Sequence, residues 1–242
     1  MSISGQQILD LNEYRRSPSP GVGASRPKYQ ITAPGGEIYF KFQLTGNEIC
    51  AEIAANQLAG NLNIPAAKTV LSIYKGNIGI ASHDVGIYEE PDDSLSYSVK
   101  DFLWVDGFIR MCLFDYLIMN EDRHAGNWGI SDNKVVPLFD HNQCFGGDAA
   151  NYGYFDTDNF MIAVSSAFYA ENESQHRHDD ILNYLLRYQA SEVKDFISKL
   201  DKLPGLENPL LEELYNEDFK RIKSLYEKRV AYMLRKAGEF DG

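Results

Sequence analysis

The chain lacks any apolar run long enough to cross a bilayer, and its first twenty residues, which end in Arg15, Arg16 and a Ser-Pro-Ser-Pro stretch, lack the apolar centre of a secretory signal. A membrane-spanning protein is not expected; the cytoplasm is, with export by a specialised system left open. Cysteine is scarce as well. Cys50, Cys112 and Cys144 are odd in number, far apart and close to apolar residues, a pattern of buried thiols rather than of a disulfide framework or a zinc site. Positive charge is the third shortage: 23 Lys and Arg against 35 Asp and Glu leave a formal charge of −12, which argues against nucleic acid or an anionic membrane as the main partner. The five histidines show no metal-ligand spacing, and no internal repeat is apparent.

What is present is a globular composition, 44% hydrophobic and 12% aromatic over 242 residues, enough for one large core or two small lobes around a cleft. Residues 17–28 hold proline and glycine at spacings no helix tolerates and predict a mobile loop. Residues 29–32 and 37–43 alternate around Pro34-Gly35-Gly36, the pattern of a hairpin; 69–74 and 79–83 do so around Lys75-Gly76-Asn77. A helix is expected over 47–62, begun by Thr45-Gly46-Asn47 and an early Glu48 and ended near Pro65. Residues 101–119 read as a second helix with Val105, Phe108, Ile109, Cys112, Tyr116 and Met119 at helical spacing. Further helices are expected around 181–188, 191–200 and 212–236, with Pro204 and Pro209 as breaks. The order is that of an α+β, two-lobed, protein-kinase-like fold: a small mixed sheet with one helix over 1–88, a linker over 89–98, and a mainly helical lobe over 99–242.

The chemistry concentrates in residues 120–142. Asp122 and Asn127 are separated by four residues, and Trp128 to Ile130 with Val135 to Phe139 read as short strands that deliver Asp140 at a strand end. Asp and Asn are ordinary turn residues, so the spacing alone is weak; its placement after an apolar helix and before a hairpin gives it weight. In phosphoryl transfer one carboxylate orients the acceptor hydroxyl, while an amide oxygen and a second carboxylate hold Mg²⁺ against the ATP phosphates. Asp122, Asn127 and Asp140 are the candidates for these tasks. Lys41, in the middle of a strand just before a glutamate-led helix, is the candidate to grip phosphates and pair with Glu48 or with Glu52 one turn later. An exposed edge lysine is the duller reading of Lys41. Gly21, Gly23, Ser25 and Lys28 belong to a loop able to offer backbone N–H groups to a phosphate, and His124 is expected to order the catalytic loop by hydrogen bonding, a general base being the competing reading.

On these residues the chain resembles a known group. Asn120-x-Asp122-x-His124-x-x-Asn127 is similar to the catalytic loop of the HipA-like serine/threonine kinases, and Gly23-Ala-Ser-Arg-Pro-Lys28 to their Gly-rich segment; Asp122-Arg123-His124 also resembles the phosphatidylinositol 3-/4-kinases, whose fold is related. The resemblance covers about residues 19–145 and is to compact, stand-alone HipA-domain proteins. It implies ATP- and Mg²⁺-dependent phosphorylation of a protein substrate, Asp122 as catalytic aspartate, Asn127 and Asp140 as metal ligands, autophosphorylation at Ser17, Ser19 or Ser25, and leaves room for an antitoxin-like partner. Asp140 is followed by His-Asn where ordinary protein kinases have Phe-Gly. The alternatives are a lipid or small-molecule kinase of the same fold and a nucleotide-binding pseudokinase acting as an interaction module.

Overall fold

A computed structural model of the chain describes residues 2–3, 6–16, 26–90, 102–120, 122–123, 125–146 and 190–240. Four very short strands come first: β1 (Ser2–Ile3), which pairs with β2 (Gln6–Gln7), then β3 (Leu9–Asp10) and β4 (Arg15–Arg16), which do not pair with each other. They were not foreseen, because two residues are too few to show a periodicity. β3 joins the sheet parallel to a later strand and β4 antiparallel to the first long one.

The sheet is built on two hairpins. β5 (Lys28–Ala33) and β6 (Gly36–Phe42) turn where Pro34-Gly35-Gly36 foretells it; β7 (Thr69–Tyr74) and β8 (Asn77–His83) turn through Lys75 and Gly76, both at positive φ. The six strands run in the order β3-β7-β8-β6-β5-β4. Ile38, Phe40 and Phe42 alternate along β6 and join Leu11, Ile31, Tyr74 and Ala81 in a core on one face of the sheet. Lys41 has the opposite parity. It pairs in register with Ile80, whose side chain belongs to the core shared with the helices, and directly paired residues face the same way.

That helix-side core starts with α1 (Gly46–Leu62). Thr45 and Glu48 cap it reciprocally: the Glu48 N–H donates to Thr45 Oγ1 at 3.2 Å and the Thr45 N–H to the Glu48 carboxylate at 2.7 Å. Ala51, Ala54, Ala55 and Ala59 keep the helix narrow, so it is buried against strands and helices together. α2 (Phe108–Ile118) is shorter than residues 101–119 promise. Gly107 takes φ +85, and the Asp106 backbone is committed to Asn133 and Val135, so the helix begins only after them. The next hairpin is short too: β9 (Ile130–Ser131) and β10 (Lys134–Val135) close around Asp132 and Asn133, both at positive φ. The Val136 N–H still donates to the Gly129 carbonyl at 3.0 Å; residues 137–139 then leave the hairpin, and Leu138 bonds instead with Pro65 and Ala67.

The chain closes with α3 (Ala190–Leu200), α4 (Pro209–Leu214) and α5 (Asn216–Phe240). Pro209 opens α4 instead of breaking a helix, since its missing N–H is harmless in the first turn and Asn208 caps the Leu211 N–H at 3.1 Å. Tyr215, at φ −139 and ψ 45, divides the expected 212–236 helix in two. Cys50 on α1, Cys112 on α2 and Cys144 beyond Asp140 are all buried free thiols. The expected helix at 181–188, the Gly-rich loop with Gly21, Gly23 and Ser25, the serines Ser17 and Ser19, His124, and most of the 89–98 linker lie outside the described residues.

Candidate active site

Asp115 is the root of the site. It lies on α2 between Phe114 and Tyr116 with no exposed surface, and three groups converge on it. Arg123 Nε and Nη2 donate to its two carboxylate oxygens, each at 2.9 Å, and Asn120 Nδ2 donates at 2.9 Å. The Asn120 side-chain oxygen in turn accepts the Asp122 N–H at 3.0 Å, so the loop backbone is tied to the helix just before the candidate catalytic aspartate.

Arg123 reaches further. Its Nη1 donates to the Asn127 carbonyl at 2.6 Å and to the Phe139 carbonyl at 2.9 Å. One nitrogen therefore clips together the backbones that carry Asn127 and Asp140. The Asn127 amide donates from Nδ2 to the Asp122 carbonyl at 2.7 Å and to its carboxylate at 3.3 Å, which fixes the rotamer and leaves the amide oxygen as a free lone-pair donor.

From the sheet, Lys41 Nζ meets Asp140 Oδ1 at 2.5 Å. Its ion pair is thus with Asp140 and with neither helix glutamate. Glu52, buried one residue layer away, accepts the His141 N–H at 2.8 Å, and Glu48 accepts from Arg26 Nε at 2.8 Å, Asn142 Nδ2 at 3.3 Å and Gln143 Nε2 at 3.5 Å. The two glutamates of α1, a turn apart, hold the three residues after Asp140. Lys28 faces the same side as Lys41, its register partner, and lies over the Tyr39 ring.

The electrostatics follow from this crowding. Burial works against the charge of Lys41, but the carboxylates of Asp140, Glu52 and Asp122 outweigh it and hold the ammonium above its ordinary range. Burial likewise opposes ionisation of Asp140, yet Lys41, Lys28 and Arg123 pull its carboxyl below the usual value. Glu52 goes the other way: burial and the nearby Asp140 charge raise it despite Lys41. His141, fully buried and close to Arg123 and Lys41, is held neutral, well below its ordinary value.

Of the residues expected from sequence, the structure brings together Lys41, Asp122, Asn127, Asp140, Glu52 and Lys28; Glu48 serves the α1 cap and the 142–143 segment. Arg123 and Asp115 were given no role in that expectation. Their signal was there to be read: a carboxylate inside Leu113-Phe114-Asp115-Tyr116-Leu117 has no solvent to go to and demands a buried cation. Among the described residues no cluster of three or more His, Cys, Asp or Glu side chains forms a closed metal cage. Asn127 offers an amide oxygen and Asp140 a partly exposed carboxylate, donors that fit Mg²⁺, a hard cation that keeps waters and takes its remaining ligands from substrate phosphates.

No protein-family model and no curated protein matches the chain. Solved structures do. The proinflammatory kinase CtkA of Helicobacter pylori superposes with a TM-score of 0.59 at 20% identity, covering 96% of this chain and 99% of that one. The Shewanella oneidensis MR-1 toxin–antitoxin complex of HipA, HipB and operator DNA aligns with a TM-score of 0.46 at 13% identity over 90% and 65% of the two chains. A putative aminoglycoside phosphotransferase of Ralstonia eutropha JMP134 aligns at 0.34 and 13% identity over 92% of each. The α+β, two-lobed kinase-like fold expected from sequence is the fold of this chain, and it is shared with CtkA over nearly the full length of both.

Proposed function

We propose that the protein is an ATP- and Mg²⁺-dependent kinase that transfers the γ-phosphoryl group to a Ser or Thr hydroxyl of a protein. The observation that carries the reading is the 2.5 Å contact between Lys41 and Asp140. It brings a cation on the sheet and a carboxylate beyond the catalytic hairpin to one point, with Asp122 close enough to act on the same lysine. Phosphoryl transfer asks little covalent chemistry of a protein and much positioning of charge, and this cluster supplies both signs on rigid elements.

Each side chain has a task in this reading. The Asp122 carboxylate orients the acceptor hydroxyl and takes its proton as the new oxygen–phosphorus bond forms and the bond to the β-phosphate oxygen breaks, releasing ADP. Lys41 places its ammonium against the phosphates. Asn127 and Asp140 would hold Mg²⁺, which when bound neutralises charge on the β- and γ-phosphates. Arg26, tied to Glu48, and Lys28 follow the Gly-rich stretch in the chain, and autophosphorylation of Ser17, Ser19 or Ser25 belongs to the same proposal, as does an antitoxin-like protein partner.

The test is incubation of the purified protein with Mg²⁺ and γ-labelled ATP, with and without a cell lysate, beside an Asp122→Asn control. Label on protein Ser or Thr, absent from the control, is the expected result. Equal label in both samples sinks the reading, and label found only in lipid or small-molecule extracts moves the acceptor to that class.

A further inference from the structure

Arg123 and Asp115 both have fully buried side chains, and a buried ion pair contributes little to stability compared with apolar residues of the same volume. Five hydrogen bonds meet at the pair: two lie inside it, from Arg123 to Asp115, and three reach its surroundings, from Arg123 to the Asn127 and Phe139 carbonyls and from Asn120 to Asp115. Here they converge where no water reaches. Nη1 carries the weight of the arrangement, because the two carbonyls it joins belong to Asn127 and to the residue immediately before Asp140.

We infer that Arg123 and Asp115 are positioning residues that set the separation between the Asn127 amide and the Asp140 carboxylate, and so the affinity of the site for Mg²⁺; this rests on the phosphoryl-transfer reading above. A planar guanidinium is needed. It holds Asp115 with two of its nitrogens and presents the third across both carbonyls, whereas a lysine ammonium, compact and freely rotating, can keep the charge but cannot span three partners in one plane. Asn120 completes the device by fixing the Asp122 backbone from the same carboxylate, so loss of the pair releases the acceptor-orienting aspartate together with the metal ligands.

The experiment is calorimetric titration of a non-hydrolysable ATP analogue at a series of Mg²⁺ concentrations, with folding followed by near-ultraviolet circular dichroism. For a folded Arg123→Lys variant the half-saturating Mg²⁺ concentration should rise about 10- to 100-fold, the effect usual for groups that orient metal ligands, while affinity for the metal-free analogue stays as in the wild type. A folded variant with unchanged Mg²⁺ half-saturation overturns the inference. If Arg123→Lys does not fold, Asp115→Asn, which keeps the shape and one acceptor oxygen, carries the same expectation; unfolding of both assigns the pair to stability alone and overturns it too. A wild-type protein whose analogue binding is indifferent to Mg²⁺ removes the reading on which the inference rests, a result no variant could produce.

Discussion

Glu52 and His141 are joined through the His141 main chain, not through its imidazole: the His141 N–H donates to the Glu52 carboxylate at 2.8 Å, while His141 Nδ1 stays 3.9 Å from it. The residue after Asp140 is therefore pinned to α1 by its main chain. Its imidazole is left to pack edge-on against Phe114, with Nε2 buried and making no hydrogen bond.

That arrangement has a pH signature. The folded-state value of His141 lies well below the 6.5 of an unfolded histidine, because burial first, then Arg123 and Lys41, disfavour the charged ring. As pH falls below about 6.5 the unfolded chain takes up a proton that the native state refuses, so stability declines by up to about 1.4 kcal/mol per pH unit. Glu52, whose value is raised, works in the opposite sense below its own folded value. The comparison of wild type with His141→Phe cancels it, since Phe keeps the backbone N–H. Denaturant titrations from pH 7.5 to 5.5 should show wild type losing ground to the variant as pH drops; a constant difference would mean that His141 does not titrate as described.

Lys41→Met should raise KM for ATP and lower kcat, the latter by about 10²–10³ as for other preorganised charge-stabilising donors. Steady-state kinetics with Mg·ATP varied reads both parameters. An unaltered KM together with an unaltered kcat is incompatible with a phosphate-binding role.

Asp122 and Asp140 should separate cleanly. Asp140→Asn should weaken Mg·ATP binding and abolish transfer, whereas Asp122→Asn should abolish transfer and leave binding largely intact. Asparagine is the right replacement for Asp140, whose φ of +60 is a left-handed conformation that Asn accepts and alanine resists. Calorimetry giving the reverse order would exchange the two roles.

Gly79 lies where β8 passes β6, and a Cβ there would run into the Lys41 carbonyl and the Phe40 ring. Backbone cannot step aside as a flexible side chain can, so Gly79→Ala should cost about 1–3 kcal/mol, the range for overpacking, and should displace Lys41. Thermal unfolding with Mg·ATP binding checks both; a fully stable variant with wild-type affinity contradicts the close approach.

Much of this was legible in the sequence where the signal is local. The hairpin turns declare themselves through Gly35, Gly36, Gly76 and the Asp132-Asn133 pair, and Asp122, Asn127 and Asp140 through spacing. What depends on distant packing was not. Glu48 and Glu52 share a face of α1, and no local rule tells which approaches Lys41, although Thr45-x-x-Glu48 carried the mark of a capping box. The start of α2 is hidden because the apolar periodicity runs on through Asp106, whose backbone is claimed by Asn133 and Val135, and Gly107. Asp115 was hidden by its apolar neighbours, and its importance emerges only with Arg123 in place.

The buried thiols turn the molecule into its own reporter of opening. Burial raises the Cys50 thiol to about 12 and those of Cys112 and Cys144 well above their ordinary value, so none offers a thiolate to an alkylating reagent while the fold is closed. Each stands in a different place: α1 beside Asp218 and Arg221 of α5, α2 beside Asp115, and the residue that follows the segment gripped by Glu48 and Glu52. The order in which a maleimide pulse captures them traces which layer of the catalytic core lets go first, and a nucleotide that slows capture at Cys144 more than at Cys50 locates the part of the protein it steadies.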